Sequence, residues 1–209
     1  MRVSAETKAE TRQRILDAAR ERFTARGYEA TTTRDIADAA GIANGTLFNY
    51  FISKEAILAS LVAEVSAAVR TNLETRGLDA GSFEEALFAF VAGGLRKLKP
   101  WRKQLPVLLE TALNPLTAAP ADDAQAMRLS HLETVARLAK HHGLGDLPAL
   151  ALQLYWTLHV GVLMFWAQDG SPRQEDTLAL LDSSLAMFTG WLQPQQESPS
   201  ENTNGGAYP

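Results

Sequence analysis

Polar side chains that could bind nucleic acid are concentrated in the stretch GIANGTLFNYFISKEAIL, residues 41–58. An asparagine amide can form two hydrogen bonds with the edge of adenine, and hydroxyl and ammonium groups bind phosphate oxygens. The same stretch contains three aromatic residues within four positions, Phe48, Tyr50 and Phe51. These rings could fill a core, stack on bases, or lie on a helix that reads a DNA groove. The helices around the stretch decide between these possibilities.

The chain as a whole has the pattern of helices rather than strands. Ala and Leu dominate it, alternating runs of β-branched residues are missing, and turn residues fall between segments of helical length. A first helix would place Ile15, Ala19 and Phe23 on one face before the chain breaks at a glycine. We therefore predict an all-α fold with a three-helix head at residues 1–55 and a body of about six helices at residues 56–192.

Two short helices are predicted over residues 34–40 and 44–51, joined by a three-residue turn that begins at Gly41. Glycine tolerates the positive φ with which a chain leaves a helix in such a turn. The pair forms a helix-turn-helix, whose second helix enters the major groove of DNA with its N-terminal end. The threonines at positions 31–33 supply caps for the first short helix, with Thr33 as one of them. Ser53 caps the long helix that follows, and Ser82 with Glu85 has the spacing of a capping box at the start of the next one.

Residues 12–58 strongly resemble the DNA-binding head of the tetracycline-repressor (TetR) family of bacterial transcription regulators. The resemblance covers about the first 60 residues, and the rest agrees only in length and helical character. The matching positions are Ile15-Leu16-x-Ala18-Ala19, Phe23, Gly27-Tyr28, Thr31-Thr32-Thr33, Ile36-Ala37, Ala40-Gly41, Gly45-Thr46-Leu47, Tyr50-Phe51 and Ser53-Lys54-Glu55.

This resemblance implies base-edge and phosphate contacts at particular positions of the head. Phe48 stands where the family usually has Tyr, so a hydroxyl that commonly reaches phosphate is missing and only apolar contact with a thymine methyl or sugar remains. For Asn49 the alternative is a solvated polar face, and for Tyr50 it is simple packing of the ring. Base-edge contacts are expected from Asn44, Gly45, Thr46 and Asn49, and phosphate contacts from Thr33, Thr46, Tyr50 and Lys54; Phe48 completes the expected DNA-binding residues.

The resemblance also implies a homodimer that binds a double-stranded DNA operator and a small-molecule effector. The dimer interface would lie on the last two long helices, where helical spacing gives a stripe formed by Leu154, Leu158, Gly161, Val162, Phe165, Leu181, Leu185 and Phe188. Many aromatic residues in the body indicate a large interface or an aromatic-lined pocket for a hydrophobic or aromatic effector. Candidate pocket residues are Trp101, Glu110, His131, Tyr155 and His159, although a lone histidine in an apolar helix is more often part of the core.

Composition limits where the protein works and what it can bind. The net charge is −4, but residues 1–58 contain nine Lys and Arg against eight Asp and Glu, so DNA binding depends on locally placed cations. No export signal is visible, and the longest apolar tract, residues 154–167, is shorter than the roughly twenty residues of a membrane span. We expect a buried helix there, no membrane association, a cytoplasmic location, and a disordered tail at residues 193–209.

Enzymes are the main rival class of function. Cysteine is absent, which excludes thiolate catalysis and cysteine-bound zinc, and the sequence contains no catalytic triad order, metal-ligand spacing or phosphate-binding loop. No catalytic residue, cofactor or metal is therefore expected. The leading hypothesis is a ligand-responsive repressor that binds a palindromic operator. The alternative is a helix-turn-helix DNA binder, architectural or constitutive, without a small-molecule effector.

Overall fold

The computed structural model describes residues 5–76, 81–106, 108 and 122–196, and this part of the chain contains α-helices and 3-10 turns but no strand. The all-α prediction is confirmed. Two 3-10 segments, Lys99–Gln104 and Pro172–Gln174, interrupt the helical order. The helices with defined bounds are α1 (Ala5–Arg26), α2 (Thr33–Ala39), α3 (Asn44–Leu47), α4 (Lys54–Arg76), α5 (Phe83–Leu98), α6 (Asp122–His141), α7 (Ala149–Gln168) and α8 (Glu175–Gln196).

The head is built from α1, α2 and α3 around one buried apolar face. Ile15, Ala19 and Phe23 lie on the same side of α1, as their spacing predicts, and all three are buried. Leu47 and Phe51 complete this core from the other side. Because the core consists of side chains from every element of the head, the orientation of α3 is set by packing and not by the short helix itself.

The start of α2 is defined by a capping box. The Thr32 hydroxyl accepts a hydrogen bond from the Asp35 N–H at 3.1 Å, and the Asp35 carboxylate accepts one from the Thr32 N–H at 2.8 Å. Thr32 is therefore the cap, and the expectation that Thr33 serves as a cap is wrong, since Thr33 is already the first helical residue. The turn between α2 and α3 contains Gly41 with φ +67°, as the helix-turn-helix prediction requires.

The second short helix is shorter than the eight residues that the sequence predicts. Its α-helical part ends at Leu47, and the chain continues in tighter turns in which the Asn49 N–H donates to Thr46 O at 3.1 Å and the Tyr50 N–H donates to Leu47 O at 2.9 Å. These bonds span three residues, as in a 3-10 turn. The tightening brings Phe51 into the head core, where it is only 4% exposed.

The body places α4, α5, α6 and α7 around an internal cavity, with α8 packed on α5 and α7. Its first two helices are capped as the sequence indicates. Ser53 accepts from the Ala56 N–H at 3.2 Å, and Ser82 forms a capping box with Glu85. The last helix extends to Gln196, beyond the end expected at Leu192, so the first four residues of the expected tail are helical. Residues 197–209 lie outside the described part of the chain.

The apolar tract near the C-terminus forms α7, which is only partly covered. This helix has 20 residues, and an 18-residue stretch of it has a mean hydropathy of 1.4, which by length and composition alone would suffice to cross a membrane. Only 33% of that stretch is buried within the protein. The expectation of a buried helix is therefore correct for one face only. Ala151, Tyr155 and Trp166 point into the core, whereas Leu150 and Phe165 are exposed.

Asp169 organises the junction between α7 and α8. One carboxylate oxygen accepts from the Ser171 N–H at 2.7 Å, and the other accepts from the Thr177 N–H at 3.1 Å and the Thr177 hydroxyl at 2.5 Å. These bonds hold the pKa of Asp169 well below its usual range. Arg102, from the first 3-10 segment, donates to the Trp166 carbonyl at 2.6 Å and also to the Asp169 carbonyl. The segment that follows α5 is thereby tied to the end of α7.

We predict that Asp169→Asn lowers the thermal unfolding midpoint by several degrees at pH 7, because a carboxylate accepts these bonds more strongly than an amide. The folded-state pKa is depressed, so the stability that Asp169 contributes is present above the unfolded pKa and is lost as pH falls through the folded pKa. The difference between variant and wild type should therefore shrink as pH falls below about 4. Circular dichroism melts between pH 7 and pH 2 measure it, with Asp182→Asn on the exposed face of α8 as control. A difference that stays constant with pH would contradict this role.

Candidate DNA-binding surface and ligand cavity

The polar side chains of the helix-turn-helix share the outer face of α3 and the turn after it. Gly45, Phe48 and Asn49 are exposed, while Asn44 and Thr46 are half-buried. Leu47 and Phe51, which lie between and beyond these positions, are buried beneath them. The structure therefore brings the predicted base-contacting residues together on one accessible surface that is supported by an apolar base.

The three rings of this segment have different environments. Phe51 is in the core, Tyr50 is half-buried and packs against the core, and Phe48 is 46% exposed. A stacking platform needs neighbouring exposed ring faces, and this arrangement does not supply them. Core packing accounts for Phe51 and in part for Tyr50, and Phe48 is displayed on the outer face of this segment.

An open groove lies between the start of α1 and the turn that follows α3. Its walls contain Lys8 and Arg12 on one side and Asn49 and Tyr50 on the other. Lys8 is exposed, whereas the Arg12 guanidinium donates to Ser60 Oγ at 2.9 Å and lies 5.0 Å from the centre of the Phe51 ring. Sequence reasoning missed Lys8. Lys8 lies one helical turn before Arg12, so the sequence already placed both cations on the same face of α1.

Lys54 has partners within the protein. Its ammonium donates to Tyr28 O at 2.9 Å and Thr31 O at 3.1 Å, and it lies 4.1 Å from the centre of the Tyr28 ring. The Tyr28 hydroxyl in turn donates to Glu55 Oε1 at 3.0 Å, and burial together with this bond raises the pKa of Tyr28. Two of the three N–H donors of Lys54 thus cross-link α4 to the loop before α2. The predicted phosphate contact can use only the remaining one.

The body contains a cavity of about 120 Å³ between α4, α5, α6 and α7, which Leu105 and Leu108 also line. Most of the wall is aliphatic or aromatic. The polar residues that line it are Ser66, Arg70, His131 and His159, with the indole of Trp156 nearby. Such a largely apolar space with a few polar groups on one side is the usual form of a small-molecule site.

The two cavity histidines are stacked and uncharged at neutral pH. Their ring centres are 4.3 Å apart, and His131 Nε2 is 2.9 Å from the Tyr155 hydroxyl. Burial lowers the pKa of His159 to about 4, and burial together with the neighbouring His159 and Arg70 lowers the pKa of His131. His159 Nδ1 is buried and has no hydrogen-bond partner among the described residues.

The predicted pocket residues divide into three groups. His131 and His159 line the cavity, and Tyr155 lies behind them, 1% exposed. The prediction for Trp101 is wrong, since its buried ring packs edge-on against Phe23 of α1, with ring centres 6.0 Å apart. Glu110 lies outside the described residues.

Sequence reasoning missed several residues of the cavity wall, which are Arg70, Phe90, Met127 and Trp156. Within the described part of the chain, no group of three or more His, Asp or Glu side chains is arranged to hold a metal ion.

The predicted dimer stripe needs correction, because half of it is buried within one chain. The orientation of α7 and α8 about their own axes turns half of the stripe inward, toward the core that these two helices share with α5. Gly161 and Phe165 are exposed, and Leu154 and Leu158 are half-buried. The buried residues, which a second copy could not contact, are Val162, Leu181, Leu185 and Phe188. The large apolar side chains exposed on α7 and α8 are instead Leu150, Met164, Phe165, Leu178 and Met187.

Comparison with known proteins gives matches that centre on the head. Residues 15–61 match the family model of bacterial regulatory proteins of the tetR family. The repressor KstR2 of Rhodococcus jostii is 42% identical over 84 residues, 38% of this chain and 41% of that protein. The regulator UidR of Escherichia coli is 41% identical over 54 residues, 26% of this chain and 28% of that protein. The matched segment thus spans less than half the length of these relatives.

Solved structures resemble the chain over most of its length. The FadR repressor of Thermus thermophilus, in complex with lauroyl-CoA, has a TM-score of 0.62 at 22% identity and covers 93% of this chain and 100% of its own. A TetR regulator from Rhodococcus sp. RHA1 has a TM-score of 0.67 at 19% identity, covering 87% and 97%. AlkX of Dietzia has a TM-score of 0.59 at 21% identity, covering 88% and 95%. These similarities show a common fold. The head of the chain therefore matches the tetR family of bacterial regulatory proteins in sequence, and the chain as a whole shares the fold of these solved regulators.

Proposed function

We propose that this protein is a transcriptional repressor that binds a palindromic DNA operator as a homodimer and leaves it when a small molecule enters the body. The observation that carries this proposal is the outer face of α3, where exposed polar residues stand on a buried apolar base. A short helix held rigidly in this way can present base-reading side chains to a major groove without ordering costs at the moment of binding.

The groove beside the turn after α3 supports contact with DNA. Asn44 Oδ1 at the start of α3 does not add to this support, because it is buried, although it has no partner among the described residues. Asn49 is exposed and borders the groove that also contains Lys8. A cation at this place can approach a phosphate while the asparagine faces the bases, which separates positioning from sequence reading.

The exposed apolar face of α7 and α8 supports a homodimer. Leu150 is 67% exposed, Met187 62% and Phe165 43%. Chains seldom leave several large apolar side chains exposed on two neighbouring helices without a partner. Because a twofold axis pairs a surface with its own copy, one face on α7 and α8 suffices for an isologous four-helix interface.

The cavity supports the effector part of the proposal, and its position suggests how binding reaches the head. Leu98 and Leu105, which line the cavity, flank the 3-10 segment Lys99–Gln104. Trp101 in this segment packs on Phe23 of α1. A ligand that displaces the cavity wall would therefore shift a residue in direct contact with the head. FadR structures from Thermus thermophilus and Bacillus subtilis, which have a similar fold, hold lauroyl-CoA and stearoyl-CoA.

We predict that Asn49→Ala reduces affinity for the preferred operator by about 10-fold, because a bidentate asparagine contact is worth about 1–3 kcal/mol. The ratio of the affinities for the preferred operator and for a mismatched operator should become smaller. The assay is a gel shift of the purified protein on the DNA upstream of its own gene, followed by footprinting. Asn72→Ala, the same change at an exposed position of α4, is the matched control. Unchanged selectivity in Asn49→Ala would remove its role as a base reader.

We predict that the two lysines of the head have separable functions. Lys8→Met should lower the salt slope of DNA binding by about one unit, because one phosphate contact is lost, without changing the unfolding midpoint. Lys54→Met should lower the free energy of unfolding by about 2 kcal/mol, because two charge-assisted bonds to backbone carbonyls disappear. Gel shifts at several salt concentrations and urea melts distinguish them. If both variants changed only the salt slope, the cross-linking role of Lys54 would be wrong.

We predict that Met187→Glu weakens the dimer by 100-fold or more, an order-of-magnitude expectation for burying an unpaired charge. Sedimentation velocity over a range of protein concentrations measures the dissociation constant. Ala89→Glu, at an exposed position of α5, introduces the same charge outside the proposed interface and should leave the dimer intact. Equal effects of both variants, or none from Met187→Glu, would place the interface elsewhere.

A further inference from the structure

The polar groups of the cavity come from facing rows on α4 and α6. Ser66 and Arg70 are one helical turn apart on α4, and Met127 and His131 are one turn apart on α6. Ser66 Oγ lies 3.7 Å from Met127 Sδ, which brings the two rows side by side. Arg70 and His131 both line the cavity, and Arg70 is close enough for its charge to lower the pKa of His131, which stacks on His159 from α7. The three side chains form one polar end of an otherwise apolar space.

Two groups at this polar end have no partner among the described residues. Arg70 is half-buried, lines the cavity and forms no ion pair or hydrogen bond with any of them. His159 Nδ1 is buried and has no partner in the same part of the chain, whereas His131 contacts the Tyr155 hydroxyl. Both histidines are neutral, so the guanidinium supplies the charge. A wholly apolar ligand would leave the buried His159 Nδ1 unsatisfied and would cover the half-buried Arg70 guanidinium without a counter-charge, costs that an anionic group would remove.

The polar end is remote from the head and the apolar end is close to it. Arg70 lies about 24 Å along α4 from Lys54, at the rise of an α-helix. The opposite end of the cavity is formed by Leu98 and Leu105, on either side of the segment that contains Trp101. A ligand anchored by its charge at Arg70 would therefore direct its apolar part toward the contact between body and head.

We propose that the effector is an amphiphile whose carboxylate binds Arg70 and His159 and whose apolar chain extends toward Leu98 and Leu105. This inference rests on the proposed function and specifies its ligand class. Arg70 supplies charge and paired N–H donors, and neutral His159 supplies a hydrogen bond that positions the carboxylate. The aliphatic wall of the cavity accepts the apolar chain of the ligand. The length of that chain determines whether the ligand presses on the segment that contains Trp101.

The experiment is isothermal titration of the full chain with unbranched carboxylates of six to twelve carbons and with the primary alcohols of equal length. Each acid should bind about 10-fold or more tightly than its alcohol, because a charge-assisted pair forms only with the acid. Arg70→Gln should abolish this difference and leave alcohol binding unchanged, which also shows that the variant is folded. His159→Phe, which keeps the stacked ring, should weaken the acids by a smaller factor. Arg96→Gln, at an exposed position of α5, is the control and should change neither series.

The inference is overturned if the alcohols bind as tightly as the acids, or if Arg70→Gln weakens both series equally. The coenzyme A thioesters of the same acids form a further arm. Tighter binding of the thioesters without dependence on Arg70 would assign the anion to the coenzyme and also overturn the proposal.

A gel shift of the ligand-free protein tests the proposed function separately. A protein that binds no operator but prefers acids through Arg70 contradicts the proposed function and supports this inference. A protein that binds an operator without any preference for acids does the reverse.

Discussion

The contact of Phe23 with both parts of the molecule is the constraint on which the rest of the structure depends. Its ring lies 5.1 Å from that of Tyr28 in the head and 6.0 Å from that of Trp101 in the body. Because Phe23 is part of the core that orients α3, the proposed DNA-binding surface and the wall of the cavity share one packed unit. Close-packed interiors transmit displacement instead of absorbing it, so a change at Trp101 has few ways to remain local.

Polar interactions connect this packed unit to neighbouring elements on two sides. Arg102 connects the Trp101 segment to the carbonyls of Trp166 and Asp169, and Asp169 in turn fixes the start of α8 through Thr177. On the other side, Lys54 joins α4 to the loop between α1 and α2. The cavity therefore lies between two anchored connections, one toward the proposed interface helices and one toward the head. Within the cavity, burial lowers the pKa of both stacked histidines, so they are neutral beside the charge of Arg70.

One helix serves three environments at once. The residues of α7 contribute His159 and Leu163 to the cavity, Tyr155 and Trp166 to the core, and Phe165 to the exposed face. This explains why its composition is apolar almost all round, although only one side is buried within the chain. Uniform hydrophobicity is the pattern of a helix with partners on every side, and it does not say which partner lies on which side.

The sequence by itself determined the features that short-range physics controls. The positive φ of Gly41, the caps at Ser53 and Ser82, and the polar surface around Asn49 follow from neighbouring residues, since turns and caps involve side chains only a few positions apart. The head core followed from spacing on α1, and the all-α class from the pattern of the whole chain.

Only the tertiary structure decided the rotation of the long helices and the partners of isolated charges. It buried Leu181 and Phe188, which the sequence suggested for an interface, and it placed Trp101 at the head and Arg70 in the cavity. Spacing identifies an apolar stripe but not the element that covers it. That choice depends on packing between residues distant in sequence, which no local pattern encodes.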